Sequence, residues 1–126
     1  MKCCALIIST IALLAAFLFV AAYAQEDMRV VANNIFQDPI RVSAIFAHDP
    51  HNESAEIEAC SRCHHVFENG KRIEDESSED QQCADCHELT ASGNTPALMQ
   101  AYHLNCKGCH HQSGKGPIVC GQCHKK

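Results

Sequence analysis

Four copies of one short motif, Cys-x-x-Cys-His, follow one another between residues 60 and 124. They span residues 60–64, 83–87, 106–110 and 120–124. In this motif two thiols, three positions apart, can each add to a vinyl group of one porphyrin, and the histidine then lies under the iron as its proximal ligand. The repeated spacing therefore predicts four covalently bound haem c groups.

The motifs define the predicted cofactor-binding residues. Eight cysteines would form the covalent bonds: Cys60, Cys63, Cys83, Cys86, Cys106, Cys109, Cys120 and Cys123. Four histidines would be the proximal iron ligands: His64, His87, His110 and His124. The other two cysteines, Cys3 and Cys4, lie in an apolar leader, so no cysteine after the leader is left over for a disulfide.

A second set of histidines can supply the distal ligands. Five of the nine histidines lie outside the proximal positions: His48, His51, His65, His103 and His111. Methionine cannot supply all four distal ligands, because only Met28 and Met99 lie beyond the leader. We therefore expect bis-histidine haems, and since a Met/His pair raises the potential, these should be low-potential centres.

Two other uses of paired cysteines compete with haem. Cys-x-x-Cys pairs with nearby histidines also form tetrahedral zinc sites, and exported domains with many cysteines can be disulfide frameworks. Neither explains why every second cysteine of the four pairs is followed directly by histidine. Haem attachment is the interpretation that uses all four histidines.

The leader indicates export. Residues 1–24 combine Lys2, an apolar run and the small-x-small triplet Ala22-Tyr23-Ala24, which is typical of a cleaved signal peptide. An uncleaved membrane anchor is the alternative, because the run approaches the length of a span. If the leader is cleaved, residues 25–126 would form one domain without a membrane span.

The mature domain has little apolar material for a core. Tryptophan is absent, and the aromatic residues after the leader are Phe36, Phe46, Phe67 and Tyr102. A domain of this size with so few large apolar side chains is marginal without extra stabilisation. We expect the porphyrins to form the core and the apoprotein to be largely unfolded.

The local patterns predict a fold made mostly of loops, with a few short helices and a short two-stranded β-sheet around the four haems. The β-prone segments 29–31 and 40–46 flank a turn at Asp38-Pro39 and would form the sheet. The acidic stretch 68–82 would be a surface loop. Thr95 would cap a helix that starts near Pro96 and runs through His103 towards Cys106.

Charge is segregated along the chain. Residues 53–88 contain eleven acidic residues and three basic ones, Arg62, Lys71 and Arg72, a balance of −8. From residue 97 onwards there are no acids and four lysines: Lys107, Lys115, Lys125 and Lys126. This asymmetry would steer docking to charged partners, or it is an acidic surface loop and an ordinary lysine tail. Nothing indicates nucleic-acid binding.

Neighbouring positions restrict which histidine reaches which iron. His64 and His65 are adjacent, so they cannot reach opposite faces of one porphyrin, and His65 serves another haem or none. His103 would share a helix face with Cys106, three positions later, and is better suited to a neighbouring haem. Ligands that cross between haems would join the cluster into one unit.

The chain resembles the class III cytochromes c, the small periplasmic tetrahaem cytochromes c3 of sulfate-reducing bacteria. The resemblance lies in Phe46-Ala47-His48-Asp49-Pro50-His51, in Cys60-x-x-Cys63-His64-His65 and in Asn69-Gly70, and it covers about residues 40–126. It implies a compact, loop-rich periplasmic domain that exchanges electrons with hydrogenases or membrane redox complexes.

The resemblance also implies the distal ligands, each to a haem named by its cysteines. His48 would serve the haem on Cys60 and Cys63, and His65 the haem on Cys83 and Cys86. His51 would serve the haem on Cys106 and Cys109, and His103 the haem on Cys120 and Cys123. His111 would be an exposed spare, a titrating group beside the third haem, or a replacement ligand. Met99 would be a packing residue.

Three features depart from many family members. All four motifs here are short, whereas many members attach the second and fourth haems through Cys-x-x-x-x-Cys-His. His103 lies closer to Cys106 than the corresponding histidine of many relatives. The acidic balance resembles the type II subgroup, which works with a basic tetrahaem cytochrome and a transmembrane redox complex.

The leading hypothesis is an electron carrier that is not an enzyme. It would carry electrons between a hydrogenase or another cytochrome and a membrane-bound redox complex in anaerobic, sulfate-type respiration. The alternative is a multihaem reductase of a small oxyanion, sulfur species or metal ion. Catalysis at iron needs an open axial position, and eight histidines for eight positions leave none.

Overall fold

The computed structural model describes residues 28–32 and 34–125, so the predicted signal peptide lies outside the described residues. The described helices and strands, most of them short, follow one another along the chain. They are α1 (His48–Ser54), a 3-10 turn (Cys60–Arg62), β1 (His65–Glu68), β2 (Lys71–Ser77), α2 (Cys83–Cys86), α3 (Leu98–Ser113) and α4 (Cys120–Cys123). The fold class expected from the sequence is confirmed.

The two-stranded sheet is an antiparallel hairpin of β1 and β2. Asn69 and Gly70 form its turn with φ values of 51° and 75°, the left-handed conformation that a two-residue hairpin turn requires. The register pairs Glu68 with Lys71 and Val66 with Ile73, and it becomes irregular between Val66 and His65, which pairs with Ser77. The predicted surface loop over residues 68–82 is therefore wrong for β2.

The segments predicted to form the sheet make a smaller contact instead. Val30 and Ile45 form one isolated antiparallel bridge, and flanking hydrogen bonds run from Val31 N to Ala44 O and from Phe46 N to Arg29 O, both at 2.9 Å. These segments are joined by the irregular residues 34–44. These bonds hold the two segments together just before α1, but the pairing is too short to make either segment a β-strand.

The long helix α3 carries both a predicted distal ligand and the third motif. It starts at Leu98, two residues later than predicted, because the Thr95 backbone is already paired with Ser92 in a tight turn. Ala97 is the N-cap residue, so the prediction of Thr95 as N-cap is wrong. The helix runs through His103, as predicted, and ends at Ser113, followed by the C-cap residue Gly114, whose φ is 67°.

The apolar core of the described residues is very small. Leu98 and Ala101 are its only buried hydrophobic residues, and both lie on the first turns of α3. Eleven large apolar side chains in residues 28–32 and 34–125 are exposed, with Ile40 fully exposed and Leu104 at 66 %. The protein part alone therefore buries too little apolar surface to offset the entropy of ordering a chain of this length.

None of the helices in residues 28–32 and 34–125 combines the length and the apolar character needed to cross a membrane.

Candidate cofactor site

Each Cys-x-x-Cys-His motif is folded as one helical turn. The backbone N–H of the histidine donates to the carbonyl of the first cysteine at 2.9 Å in the His64 motif, 2.8 Å in the His87 motif and 2.9 Å in the His124 motif. The His110 motif lies within α3. Residues three apart share a helix face, so each turn presents its two thiols together and its histidine directly after them.

Two of these turns are capped by residues inside the motif itself. In α2, the N–H of Gln82 donates to Oδ2 of Asp85 at 2.7 Å. In α4, the N–H groups of Ile118 and Val119 donate to Oε1 of Gln122 at 3.1 and 3.2 Å. A four-residue helix has almost no hydrogen bonds of its own, so these side-chain acceptors hold the turns in shape.

Every predicted proximal histidine faces one other histidine ring. The centroid distances and angles between ring planes are 6.3 Å and 64° for His48 and His64, 6.0 Å and 45° for His51 and His110, 5.9 Å and 81° for His65 and His87, and 6.4 Å and 77° for His103 and His124. The structure thus brings together the eight predicted axial histidines in four pairs, and these are the four pairs that the resemblance implies.

The separation within each pair matches the space that one iron needs. A metal–imidazole bond is about 2 Å long, and the ring centroid lies about 1 Å behind the nitrogen, so two ligands on opposite faces of a metal have centroids about 6 Å apart. All four pairs lie close to this value. The donor set therefore fits bis-histidine haem.

Backbone carbonyls orient three of the four proximal rings. Nδ1 lies 3.0 Å from Pro96 O in His87, 2.6 Å from Pro117 O in His110 and 2.6 Å from Val42 O in His124. A carbonyl can only accept, so Nδ1 carries the proton in each ring. Nε2 is then the nitrogen with a free lone pair, as an iron ligand requires.

A carboxylate plays the same part for a distal ring. His48 Nδ1 lies 2.6 Å from Oδ1 of Asp49, the next residue on α1. Hydrogen bonds of this kind hold the ring in one orientation and raise the basicity of the nitrogen that faces the metal. Phe46 packs its ring 4.9 Å from His51 and 6.0 Å from His48, so one aromatic side chain supports both histidines of the helix.

The environment of the other two distal rings lowers their pKa values and so favours their neutral form. Partial burial lowers the pKa of His65, and the nearby His87 and Arg72 lower it further. Partial burial also lowers the pKa of His103, together with the charge of Lys107. Only a neutral imidazole has a lone pair for iron, so these depressed pKa values favour the form that coordinates.

The motif cysteines lie close to one another. Arg62, in the first motif, donates from Nη2 to Sγ of Cys109, in the third, at 3.7 Å. Burial raises the pKa of the Cys106 thiol to about 11, and the neighbouring Cys63 and Cys123 thiols add to that rise. Cys83, in the second motif, also raises that pKa, so thiols of all four motifs lie in one region, where haems on them would be neighbours.

The described part of the chain contains neither a zinc site nor a disulfide, the two alternatives considered for the cysteines. All eight motif cysteines are free thiols there. Within the same residues no group of three or more His, Cys, Asp or Glu side chains could hold a metal ion directly. Each pair of facing rings can supply two axial ligands. This is what a metal needs when a porphyrin already provides its four equatorial ligands.

The two remaining candidates, His111 and Met99, belong to none of the four ring pairs. His111 is exposed beside His110, and Met99 is exposed near the start of α3, so its packing role stays a prediction. The site residues that sequence reasoning missed are the carbonyls of Pro96, Pro117 and Val42. Every residue carries a carbonyl, so no sequence signal could have identified these three.

Four helical Cys-x-x-Cys-His turns and four facing histidine pairs define a multihaem c-type cytochrome. The chain belongs to the Class III cytochrome C family, whose family model matches residues 24–124. No protein of curated function matches the chain. Membership in the family means that the cofactors are four haem c groups and that the protein functions in multihaem electron transfer with redox partners.

Proposed function

We propose that this protein is a periplasmic, low-potential electron carrier with four bis-histidine haems. Each haem, when bound, supplies one centre that accepts and releases a single electron. The observation that carries the proposal is the set of four facing histidine pairs with centroids 5.9–6.4 Å apart. With histidine at both axial positions, the potentials are expected to lie below those of Met/His haems.

The axial assignment follows the ring pairs. His64, His87, His110 and His124 are the proposed proximal ligands, and their distal partners in the same order are His48, His65, His51 and His103. The thioether bonds are assigned to the eight motif cysteines. Because these pairs use eight histidines for eight axial positions, no iron keeps an open position for substrate. This supports a carrier in preference to a reductase and an assignment as a protein that is not an enzyme.

The location is proposed from the leader and the match together. Residues 1–24 have the composition of a signal peptide, and the family match begins at residue 24, beside the proposed cleavage after Ala24. Cleavage would release residues 25–126 as the tetrahaem domain.

The partners are proposed from charge. Strand β2 and the residues after it present exposed carboxylates, including Glu74, Asp75 and Glu76. Lys107, in contrast, lies in the third motif, and Lys125 directly follows the fourth. Patches of opposite charge like these steer encounters with proteins that carry the complementary charge. The acidic patch suits a basic tetrahaem cytochrome, and the lysine end suits a hydrogenase or a transmembrane redox complex with an acidic docking face. Sulfate-type anaerobic respiration is the proposed setting.

The first experiment is the spectrum and mass of the purified exported protein. The absorption spectrum before and after dithionite, a pyridine haemochrome assay and the intact mass should show four haem c groups, all low-spin, on a chain that begins at Gln25. A high-spin component in the resting oxidised protein would contradict the carrier and favour the reductase. Fewer than four haems would contradict the use of all four motifs.

A pair of variants tests the axial assignment within the same protein. His103→Gly should open one axial position, give a high-spin signal for one haem in four, and recover the low-spin spectrum when imidazole is added. His111→Gly removes an exposed histidine from the same helix and should leave the spectrum unchanged. A high-spin signal in His111→Gly in place of His103→Gly would show that the two roles are reversed.

A further inference from the structure

The loop after α3 lies directly against the imidazole of His110. A Cβ atom built on Gly116 would lie 2.7 Å from Cδ2, 2.9 Å from Cγ and 2.9 Å from Nε2 of that ring. These distances are shorter than real Cβ contacts, so no side chain fits at this position while the ring stays where it is. The three similar distances place this Cβ above the face of the ring, on the side that carries Nε2, the proposed iron ligand.

The same loop holds the opposite side of the ring through a hydrogen bond. Nδ1 of His110 donates to the carbonyl of Pro117 at 2.6 Å, one residue after the glycine. The ring is therefore touched at Nδ1 by the Pro117 carbonyl and along Cγ–Cδ2–Nε2 by Gly116. One contact at Nδ1 and one on the ring face together restrict the rotation of the imidazole about its Cβ–Cγ bond.

The backbone reaches this position through two left-handed residues. Gly114 has a φ of 67° and ends α3, and Gly116 has a φ of 82°. Between them, the hydroxyl of Ser113 donates to the Lys115 carbonyl at 3.4 Å and lies 3.3 Å from the Lys115 N–H. The chain thus turns back within four residues, which returns Pro117 to the ring of the last helical turn.

The two glycines differ in what surrounds them. Nothing lies within 4 Å of a Cβ placed on Gly114, although its φ is as unusual as that of Gly116. Backbone conformation alone explains glycine at 114. At 116 the ring contact is an additional requirement, and the ring cannot give way, because its Nδ1 is held by Pro117 and its Nε2 is the proposed ligand.

We propose that Gly116 is a positioning residue for His110: the absence of a side chain lets the loop lie against the ring and set its orientation relative to the facing ring of His51. This inference rests on the proposed function, in which His110 and His51 are the axial ligands of the third haem. The angle between these two ring planes is 45°, and the loop is the part of the chain that fixes it on the His110 side.

The test compares Gly116→Ala with Gly114→Ala in the holoprotein. Electron paramagnetic resonance of the oxidised protein resolves low-spin iron by the relative orientation of its axial imidazoles. We expect Gly116→Ala either to shift the signal of one haem and leave three unchanged, or to yield protein that lacks one haem. Gly114→Ala introduces the same strained backbone without the ring contact, so it should retain four haems and all four wild-type signals.

The outcomes separate this inference from the function on which it rests. Identical spectra and haem content in the two variants, with four low-spin haems in the wild type, would contradict the role of Gly116 alone. Fewer haems or a high-spin iron in the wild type would contradict the proposed function. A shift of the same size in both variants would show that backbone strain, not the ring contact, is responsible, and would also overturn the inference.

A second measurement applies if Gly116→Ala yields no mature protein. In the glycine-labelled wild-type protein, the Cα protons of Gly116 should be shifted strongly by the paramagnetic iron, because that residue touches an axial ligand. Those of Gly114, which has no such contact, should be shifted much less. Similar paramagnetic shifts for the two glycines would contradict the proposed contact.

Discussion

His64 and His65 are consecutive residues whose imidazole rings face two different partners. The His64 ring lies 6.3 Å from that of His48, and the His65 ring lies 5.9 Å from that of His87. His64 ends the helical turn of the first motif, and His65 begins β1, where successive side chains point to opposite sides. One peptide unit therefore joins the proposed proximal ligand of the first haem to the proposed distal ligand of the second.

Replacing the second of these residues should change a single haem. In His65→Met a thioether replaces the imidazole opposite His87, and Met/His ligation raises the potential of the iron. We expect one of the four midpoint potentials to rise by the largest amount, with smaller changes in the others from electrostatic coupling. Potentiometric titration followed in the α-band measures the four potentials.

His111→Met provides the matched control for that variant. It introduces the same side chain at an exposed histidine that also follows a proximal histidine directly. All four potentials should stay at their wild-type values. A large rise in His111→Met, or no rise in His65→Met, would contradict the assignment of His65 as a distal ligand.

The angles between facing rings predict a spectroscopic difference among the haems. The rings of His65 and His87 are nearly perpendicular, at 81°, whereas those of His51 and His110 are inclined at 45°. Perpendicular axial imidazoles bring two iron d orbitals close in energy, which raises the largest g value of the low-spin ferric ion. We expect the second haem to have a larger maximal g value than the third, measured by electron paramagnetic resonance at low temperature.

Loss of one signal at a time assigns these spectra. His65→Met should remove the signal with the larger g value, and His51→Met should remove that of the third haem. If the third haem instead gave the larger value, the ring orientations of the holoprotein would differ from those described here.

The chemistry of the site could be predicted from the sequence because the motif carries it within five residues. The thiol spacing, the proximal histidine and the supply of distal histidines are all local or compositional. The pairing of distal to proximal rings required long-range contacts, as between His103 and His124. In this chain those contacts could be expected only through the resemblance, since the residues alone left His65 and His103 open to more than one haem.

The errors in secondary structure have separate physical causes. In β2 only Arg72 and Ile73 are partly buried among charged neighbours, so the strand shows no alternation of apolar and polar residues, and Asn69-Gly70 was its one clear signal. The segments around Val30 and Ile45 are β-prone, but they meet at one bridge only. Thr95 has the chemistry of an N-cap, yet its backbone is used in the turn with Ser92.

Arg72 connects the hairpin to the first motif, which predicts a measurable contribution to stability. Its Nη2 donates to the carbonyls of Ser61 and Arg62, and Ser61 returns a hydrogen bond from Oγ to Glu74 O at 3.1 Å. Arg72→Gln would lose the charged donor to two carbonyls of the first attachment turn. Hydrogen bonds from charged groups contribute about 1.5–3 kcal/mol, so we expect a loss of that order in the free energy of unfolding.

Lys71→Gln is the control for Arg72→Gln. Lys71 is exposed, lies next to Arg72 on the same strand and carries the same charge, so its replacement should change the free energy of unfolding by less than about 0.5 kcal/mol. Guanidinium unfolding of the holoprotein, followed by the Soret band, measures both variants. Equal losses would mean that net charge, and not the contacts of Arg72 with the motif, accounts for the effect.

The smallness of the core predicts that the chain depends on its haems for folding. Leu98 and Ala101 are the buried apolar residues of the described chain, and full burial of a leucine side chain contributes only about 1.5–3 kcal/mol. A variant with all eight motif cysteines replaced by alanine cannot attach haem and cannot form disulfides through them. We expect its far-UV circular dichroism and amide chemical shifts to be those of an unfolded chain.

Leu98→Ala in the holoprotein tests the same point from the other side. If the haems form most of the core, removal of the one fully buried leucine should cost stability, by about 2–5 kcal/mol, but should leave four haems and a cooperative transition. Gln100→Ala, on an exposed position of the same helix, should have almost no effect. A chain without the motif cysteines that kept a folded α3 would contradict this account, because the protein part would then hold its structure without bound porphyrins.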